Sequence, residues 1–177
     1  RVHGNVSLGG NIGRRGPHNH PKLALAGIVS RLVAFARGMP MEREKVDFTG
    51  AMQMMLVTLY GKAMESGFPD SLLKDRFAAE AVRWIDYDFP SLKVDSNMAS
   101  GLAIRAKAMD EWVSGFLTRN PAATVVHLGC GMDTRVFRID PPGEVEWFDV
   151  DYPEVVALRR RLYPARVHYH LVASPAA

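Results

Sequence analysis

Residues 125–138 read VVHLGCGMDTRVFR, an apolar run that breaks into two glycines around one cysteine. The two glycines, Gly129 and Gly131, allow backbone conformations with positive φ and let a ligand approach the main chain without meeting a Cβ atom. A strand, a glycine turn and a helix in this order are typical of nucleotide pockets in α/β proteins. The glycine pair alone is a weak signal, because many such turns bind nothing.

The spacing beyond the turn argues against a dinucleotide. An NAD-binding or FAD-binding fingerprint needs a third glycine three residues after Gly131, and Thr134 stands there. The next strand ends in Asp149 and Asp151, and Asp151 lies 22 residues after Gly129. An acid about 20 residues after the turn can accept hydrogen bonds from ribose hydroxyls. Asp151 also precedes a helix whose N-terminus it favours electrostatically, and the two roles are compatible.

The first part of the chain has helical periodicity. Residues 51–66 read AMQMMLVTLYGKAMES, with apolar residues at 52, 55, 56, 59, 60 and 63 on one face. A second helix is predicted within residues 69–85, with Ser71 as its N-cap. A third helix is predicted at about residues 98–119. Its predicted apolar stripe consists of Leu102, Ala106, Met109, Val113 and Phe116.

Beyond Pro121 the pattern changes to alternating strands and helices. We predict strands at 124–129, 144–151 and 166–173, with helices at 134–139 and 153–163 between them. Pro153 stands at the first position of the second of these helices, where its missing N–H costs nothing. The predicted fold class is α/β, an N-terminal helical lead-in followed by the first half of a Rossmann-like doubly wound parallel sheet. Ligands of such sheets bind at the carboxyl ends of the strands.

The N-terminal residues differ in composition from the rest of the chain. Residues 1–40 begin with a stretch rich in Gly, Asn, His and Arg that has no periodicity, which predicts a flexible or non-native extension before a domain at residues 41–177. The apolar run at residues 23–36 is interrupted by Arg31 and is too short for a membrane helix, so no membrane partner is predicted. The single cysteine cannot form an internal disulfide, which favours a reducing, cytoplasmic location.

The net charge of +3 raises the question of a nucleic-acid partner. The one tight basic cluster is Arg159, Arg160 and Arg161, late in a predicted helix, where cations favour the helix dipole. We interpret these arginines as a solvated helix surface and predict no nucleic-acid partner.

Four segments carry a family resemblance. The two most specific read VVHLGCGMDTRVFRI at 125–139 and VEWFDVDYPEVVALRRRLYP at 145–164, and LVTLYGKAMES and GLAIRAKAMDEWVSGFL precede them. Over residues 46–173 the chain resembles the leucine carboxyl methyltransferase family, and within it the branch of the tetracenomycin polyketide O-methyltransferase. The resemblance implies an S-adenosylmethionine-dependent O-methyltransferase. It also implies that residues 41–177 form a truncated methyltransferase domain that lacks its C-terminal part.

The resemblance also implies which residues bind the cofactor. Arg105 matches the arginine that holds the methionine carboxylate in the family, and a guanidinium suits a carboxylate because it binds in a bidentate manner. Lys62 is nearest to the basic residue of the first helix that contacts the cofactor in relatives. Gly129 and Gly131 correspond to the backbone floor of the pocket, and Asp151 corresponds to the ribose acceptor.

Other polar residues near the turn receive structural interpretations. Asp133 is predicted to cap the short helix, and Cys130 to be a small residue that fills the turn. His127 is predicted to be a strand histidine that a neighbouring side chain satisfies. His168 and His170 share a strand face without an evident third ligand, so no metal site is predicted.

The predicted reaction is methyl transfer to a carboxylate or hydroxyl of a small molecule, for example a polyketide. A carboxylate acceptor needs no general base, and no catalytic base is identified from the sequence. The alternatives are an inactive truncated remnant and a binding module without catalysis, with an NAD-binding domain disfavoured by Thr134. We expect the isolated chain to show little methyltransferase activity and to aggregate, because three parallel strands leave an uncovered edge and face. The sequence makes no prediction of the oligomeric state.

Overall fold

The computed structural model describes residues 42–175, so the predicted extension at residues 1–40 lies outside the described residues. A short parallel strand pair joins β1 (Glu44–Lys45) to β2 (Ile85–Asp86). The helices of the lead-in are α1 (Ala51–Glu65), α2 (Arg76–Trp84) and α3 (Ser96–Arg119). The α/β part follows as β3 (Thr124–Leu128), α4 (Arg135–Ile139), β4 (Glu146–Asp151), α5 (Pro153–Leu162) and β5 (Tyr169–Ala173).

The strands β3, β4 and β5 form a parallel sheet in the order β3-β4-β5. Val125 pairs with Trp147, which in turn pairs with Tyr169. This sheet, with a helix in each crossover, confirms the predicted α/β class and the strand–helix alternation. The last strand begins at Tyr169, later than predicted, because His168 has a left-handed φ of 57° in the turn that precedes it.

Helix α1 packs into an apolar core through the face that the sequence predicts to be buried. Met55, Leu56 and Leu59 are buried in a cluster that also receives side chains from α2 and α5. Met132, the residue after the glycine turn, belongs to the same cluster. The lead-in helices and the first turn of the sheet are therefore joined by a single apolar core, which fixes where α1 lies relative to the turn.

A second apolar core lies beneath the sheet. Trp147 of β4 lies in one apolar cluster with Val145, which precedes β4. The same cluster contains Leu117 at the end of α3 and Val136 of α4. The opposite face of the sheet is more exposed in the described chain, with Val126 57% and Leu128 70% exposed. The alternation along β3 and β4 therefore separates a helix-covered face from an open one.

The predicted start of α2 is wrong. Asp75, and not Ser71, is the N-cap, and its carboxylate accepts a hydrogen bond from the Ala78 N–H at 3.0 Å. Lys74 has a left-handed φ of 49°, so no helix runs through it from Ser71. Ser71 instead donates a hydrogen bond to Glu65 at 3.0 Å.

The predicted apolar stripe of α3 is only partly right. The buried positions on α3 are Ala99, Ala103, Ala106, Asp110 and Leu117. Met109 is 37% exposed and Phe116 is 49% exposed, so these two members of the predicted stripe do not lie in the core. The reason is that α3 packs closely against α1 at Gly61, next to Ala99 and Leu102, and periodicity analysis gives small residues little weight.

None of the helices within residues 42–175 is both long and apolar enough to cross a membrane.

Candidate functional site

A cavity of about 390 Å³ opens at the carboxyl ends of β3 and β4, between the glycine turn and the helices α1 and α3. It is lined by all five residues that the sequence analysis assigned to cofactor binding, namely Lys62, Arg105, Gly129, Gly131 and Asp151. They come from four different elements, so the fold brings together residues up to 89 positions apart in the sequence. Their assignment as cofactor ligands remains a prediction.

The glycine turn has the backbone conformation that its residues allow. Gly129 and Gly131 have φ values of 60° and 50°, in the left-handed region that disfavours a side chain. A Cβ atom on Gly129 would meet no atom within 4 Å, because that side of the residue faces open space at the cavity. A Cβ atom on Gly131 would lie 2.9 Å from Cγ of Met55, because α1 packs directly against the turn.

Asp151 points toward the glycine turn. Its Oδ2 accepts a hydrogen bond from the Gly131 N–H at 2.6 Å, and its Oδ1 accepts one from the Tyr152 N–H at 2.8 Å. A carboxylate oxygen can accept two hydrogen bonds, so each oxygen retains capacity for a further donor. The acid is buried except where it reaches the cavity.

Lys62 projects from α1 into the same cavity and is 7% exposed. Its ammonium donates to Oδ1 of Asp133 at 3.0 Å. Burial lowers the pKa of Lys62, although the charge of Asp133 opposes this shift. Lys62 is therefore a cation held in position by an acid.

The predicted capping role of Asp133 is wrong. Helix α4 has Thr134 as its N-cap and no side-chain capping bond. Asp133 instead lies among three cations, Lys62, Arg135 and Arg138. Burial opposes its ionisation, but these charges outweigh burial and hold the pKa of Asp133 far below its usual range.

Arg138 connects the turn to two lead-in helices, a role that the sequence analysis missed. Its Nη1 contacts Asp75 at 2.8 Å and Asp133 at 3.0 Å, and its Nε contacts Asp110 at 2.7 Å. Asp110 of α3 also accepts from Arg135 at 2.9 Å. Two arginines follow Asp133 at intervals of two and five residues, and this spacing was the available signal.

Arg105 is exposed on α3 and lines the cavity. No hydrogen bond or ion pair joins its guanidinium to another residue of the described chain. This distinguishes it from Lys62, Arg135, Arg138 and Arg159, all of which have carboxylate partners. An uncommitted guanidinium at a cavity suits an anionic ligand.

The interpretation of Arg159 as a solvated helix residue is wrong, because its side chain is fully buried. Its Nη1 donates to the carbonyl oxygens of Gly131 at 2.7 Å and Asp133 at 2.8 Å. Its Nη2 donates to the carboxylate of Asp149 and to the Tyr169 hydroxyl. Arg159 lies one turn after two buried valines of α5, and that spacing places it on the covered face.

His127 and Cys130 match their predicted interpretations. Nδ1 of His127 lies 3.1 Å from Oδ1 of the buried Asp149, the residue with which it pairs across the sheet. Cys130 is 3% exposed inside the turn, and burial raises the pKa of its thiol to about 12. Both residues line the cavity.

His170 of β5 and His168, which precedes β5, contact the same acid. His168 and His170 each lie 2.6 Å from a carboxylate oxygen of Glu146. Within the part of the chain that the structure describes, no group of three His, Cys, Asp or Glu side chains is positioned to hold a metal ion.

The chemistry of the cavity follows from these contacts. Lys62 and Arg105 supply positive charge on the helical side, and the turn at Gly129 supplies backbone that a ligand can approach closely. Asp151 supplies acceptor oxygens at the end of β4. This arrangement fits a ligand that carries both an anionic group and hydroxyl donors.

Comparison with known proteins agrees with the resemblance stated from the motifs. The family model described as Leucine carboxyl methyltransferase matches residues 55–167. The tetracenomycin polyketide synthesis O-methyltransferase TcmP of Streptomyces glaucescens is 41% identical over 131 residues, which cover 74% of this chain and 48% of that protein. The S-adenosyl-L-methionine-dependent methyltransferase dpfgK of Gibberella zeae is 36% identical over 147 residues, 76% of this chain and 49% of that protein. The chain spans about half the length of these relatives. With a family match over more than half of its residues, the chain belongs to the leucine carboxyl methyltransferase family.

Proposed function

We propose that the chain forms the cofactor-binding part of an S-adenosylmethionine-dependent O-methyltransferase. The observation that carries the proposal is the single cavity lined by Lys62, Arg105, Gly129, Gly131 and Asp151. The names of two relatives, each a methyltransferase, support the same reaction class.

The residues present fit S-adenosylmethionine on the basis of their chemistry. The guanidinium of Arg105, which has no ion pair within residues 42–175, suits the methionine carboxylate, with the ammonium of Lys62 as a second cation. The free acceptor capacity of Asp151 suits the ribose hydroxyls. The open side of Gly129 gives the ligand access to the backbone, which any larger residue would obstruct.

The proposed contribution of the chain to catalysis is positioning. When bound, the cofactor would supply an activated methyl group on a sulfonium, so the residues that line the cavity would only have to hold and orient it. The rigid turn, held by Asp151 and Arg159, orients the bound molecule, and the apolar Met55 and Val155 help to exclude water from it.

We propose a small molecule with a carboxylate or hydroxyl oxygen as the acceptor, because one relative is named for polyketide synthesis. A carboxylate is already ionised and requires no general base, whereas a hydroxyl requires proton removal. We further propose a cytoplasmic location, where the single thiol of Cys130 stays reduced.

Ligand preference tests the proposal. We expect the purified chain to bind S-adenosylmethionine and S-adenosylhomocysteine in preference to NAD, because Thr134 stands where a dinucleotide site needs glycine. Methyl transfer by the isolated chain is expected to be weak, because the chain spans about half the length of its relatives, so ligand binding is the decisive readout. Equal or tighter binding of NAD would contradict the cofactor assignment.

A further inference from the structure

Asp149 is a buried carboxylate whose acceptor positions are filled by donors. Its Oδ1 receives the Trp147 Nε1–H at 2.8 Å and lies 3.1 Å from Nδ1 of His127. Its Oδ2 accepts from the Tyr169 hydroxyl at 2.8 Å and from Arg159. Burial opposes its ionisation, but the hydrogen bond to His127 and the charge of Arg159 outweigh burial and lower the pKa of Asp149.

This carboxylate determines the tautomer of His127. An ionised carboxylate only accepts hydrogen bonds, so Nδ1 of His127 must carry the hydrogen in their contact. In the neutral imidazole, Nε2 then carries the lone pair and acts as an acceptor. No side chain or backbone group of the described residues has a hydrogen bond with this Nε2.

His127 lines the same cavity as the two cations. His127 is partly exposed and lines the cavity together with Lys62, Arg105 and Gly129. The cations Lys62 and Arg105 suit the carboxylate of an α-amino acid, but both would repel its ammonium group. Neutral His127 does not repel the ammonium group, because the lone pair on its Nε2 can accept a hydrogen bond from a cationic donor.

We propose that His127 is a cofactor-binding residue whose Nε2 accepts a hydrogen bond from the α-ammonium group of the methionine moiety. This inference rests on the proposed function. The two charged groups of the methionine moiety then have different partners. Arg105 and Lys62 bind the carboxylate, and His127 binds the ammonium group. Asp149 is the positioning residue that keeps Nε2 available for the ligand.

A comparison of two ligands tests this assignment. S-adenosylhomocysteine and its desamino analogue differ only in the amino group, so the ratio of their Kd values measures what the protein gains from that group. We expect wild type to prefer the amino form by about tenfold or more, as for a hydrogen bond to a charged group. His127→Phe is expected to reduce the preference to less than about twofold. His127→Gln, whose amide oxygen can accept, is expected to retain part of it.

Arg105→Ala is the matched control. It removes a carboxylate contact that both ligands make, so both Kd values are expected to rise, while the preference for the amino form is not expected to fall, because His127 remains and a cation that repels the ammonium group is lost. Because a ratio compares two ligands on one variant, a general loss of stability does not by itself change it. The nitrogen shifts of the imidazole provide a second readout, which is expected to show hydrogen on Nδ1 of His127 in the wild-type chain at neutral pH.

The possible outcomes separate the two proposals. If wild type binds S-adenosylhomocysteine and His127→Phe retains the full preference for the amino form, the inference about His127 is wrong and the proposed function stands. Hydrogen on Nε2, with or without hydrogen on Nδ1, would likewise overturn it. If folded wild type binds neither ligand, the proposed function fails and this inference fails with it.

Discussion

The guanidinium of Arg159 on α5 donates a hydrogen bond to the carbonyl oxygen of Gly131, with 2.7 Å between Nη1 and O. The same nitrogen binds the carbonyl oxygen of Asp133 at 2.8 Å, so one buried side chain holds both sides of the turn that floors the cavity. Its charge is balanced by Asp149 within the sheet. The shape of the proposed cofactor site therefore depends on a buried ion pair behind it.

We expect Arg159→Met to lower the free energy of unfolding by about 3 to 5 kcal/mol, because it leaves the buried Asp149 without its cation. Urea unfolding followed by circular dichroism measures this change. Arg160→Met is the matched control, since Arg160 is exposed on the same helix, and its effect is expected to stay within about 0.5 kcal/mol. Equal effects of the two substitutions would show that Arg159 does not support the turn.

Gly129→Ala is expected to weaken the binding of S-adenosylhomocysteine by about tenfold or more, because the new methyl group enters the open side of the turn. Calorimetric titration measures the affinity. Gly50→Ala is the control, since Gly50 has nearly the same φ of 58° and does not line the cavity. Backbone strain is expected to cost about 1 to 2 kcal/mol of stability in Gly129→Ala and more in Gly50→Ala, because ψ of Gly50 is −127°, a value that residues with a side chain rarely adopt at positive φ. Similar losses of affinity in both variants would mean that strain, and not obstruction, explains the result.

Arg105→Ala is expected to weaken cofactor binding by about tenfold to a hundredfold with little change in stability, because Arg105 is exposed and makes no ion pair in the described chain. Arg105→Lys is expected to restore the affinity only in part, because an ammonium lacks the planar fork. Lys107→Ala, on the same helix and outside the cavity lining, serves as the control. Unchanged affinity in Arg105→Ala would refute the assignment of this residue.

The thiol of Cys130 is expected to react slowly with alkylating reagents at pH 8 and rapidly in denaturant, because it is buried and its pKa is raised to about 12. Mass spectrometry over time measures the labelling.

The same shift predicts a pH dependence of stability. Below the ordinary thiol pKa of 9.0, the folded and unfolded chains both keep the proton, so the contribution to stability is fully present. Between 9.0 and about 12 the unfolded chain releases the proton first, so stability is lost as pH rises. Cys130→Ala is expected to make that decline shallower, and an unchanged slope would contradict the assignment.

The elements of the fold were predictable where the signal was local. Apolar spacing identifies the buried face of α1, and the run from Val125 through Gly131 identifies a strand and its turn. Pro153 marks the first position of α5, where its missing N–H costs nothing. Each of these features depends on residues within a few positions of one another, so no knowledge of the tertiary structure is needed.

The roles of the charged residues were less predictable. Arg159 looks like a solvated helix residue in the sequence, and only its distant partners Asp149 and Tyr169 explain why it is buried. Asp133 likewise stands where a capping acid is expected, yet Lys62 from α1 and Arg138 from α4 bind it. A buried charge is stable only when its partners are supplied by the folded chain, so such roles follow from tertiary contacts.

The claim that the cavity at the ends of β3 and β4 binds S-adenosylmethionine is tested most directly by locating the ligand. Amide nitrogen–proton spectra of the isotope-labelled chain, recorded during titration with S-adenosylhomocysteine, report which residues sense the ligand. We predict saturable shift changes that are largest at Gly129, Gly131 and Asp151, with smaller changes at exposed amides of α2. A folded chain whose spectrum does not change, or whose changes lie away from the glycine turn, would contradict the account.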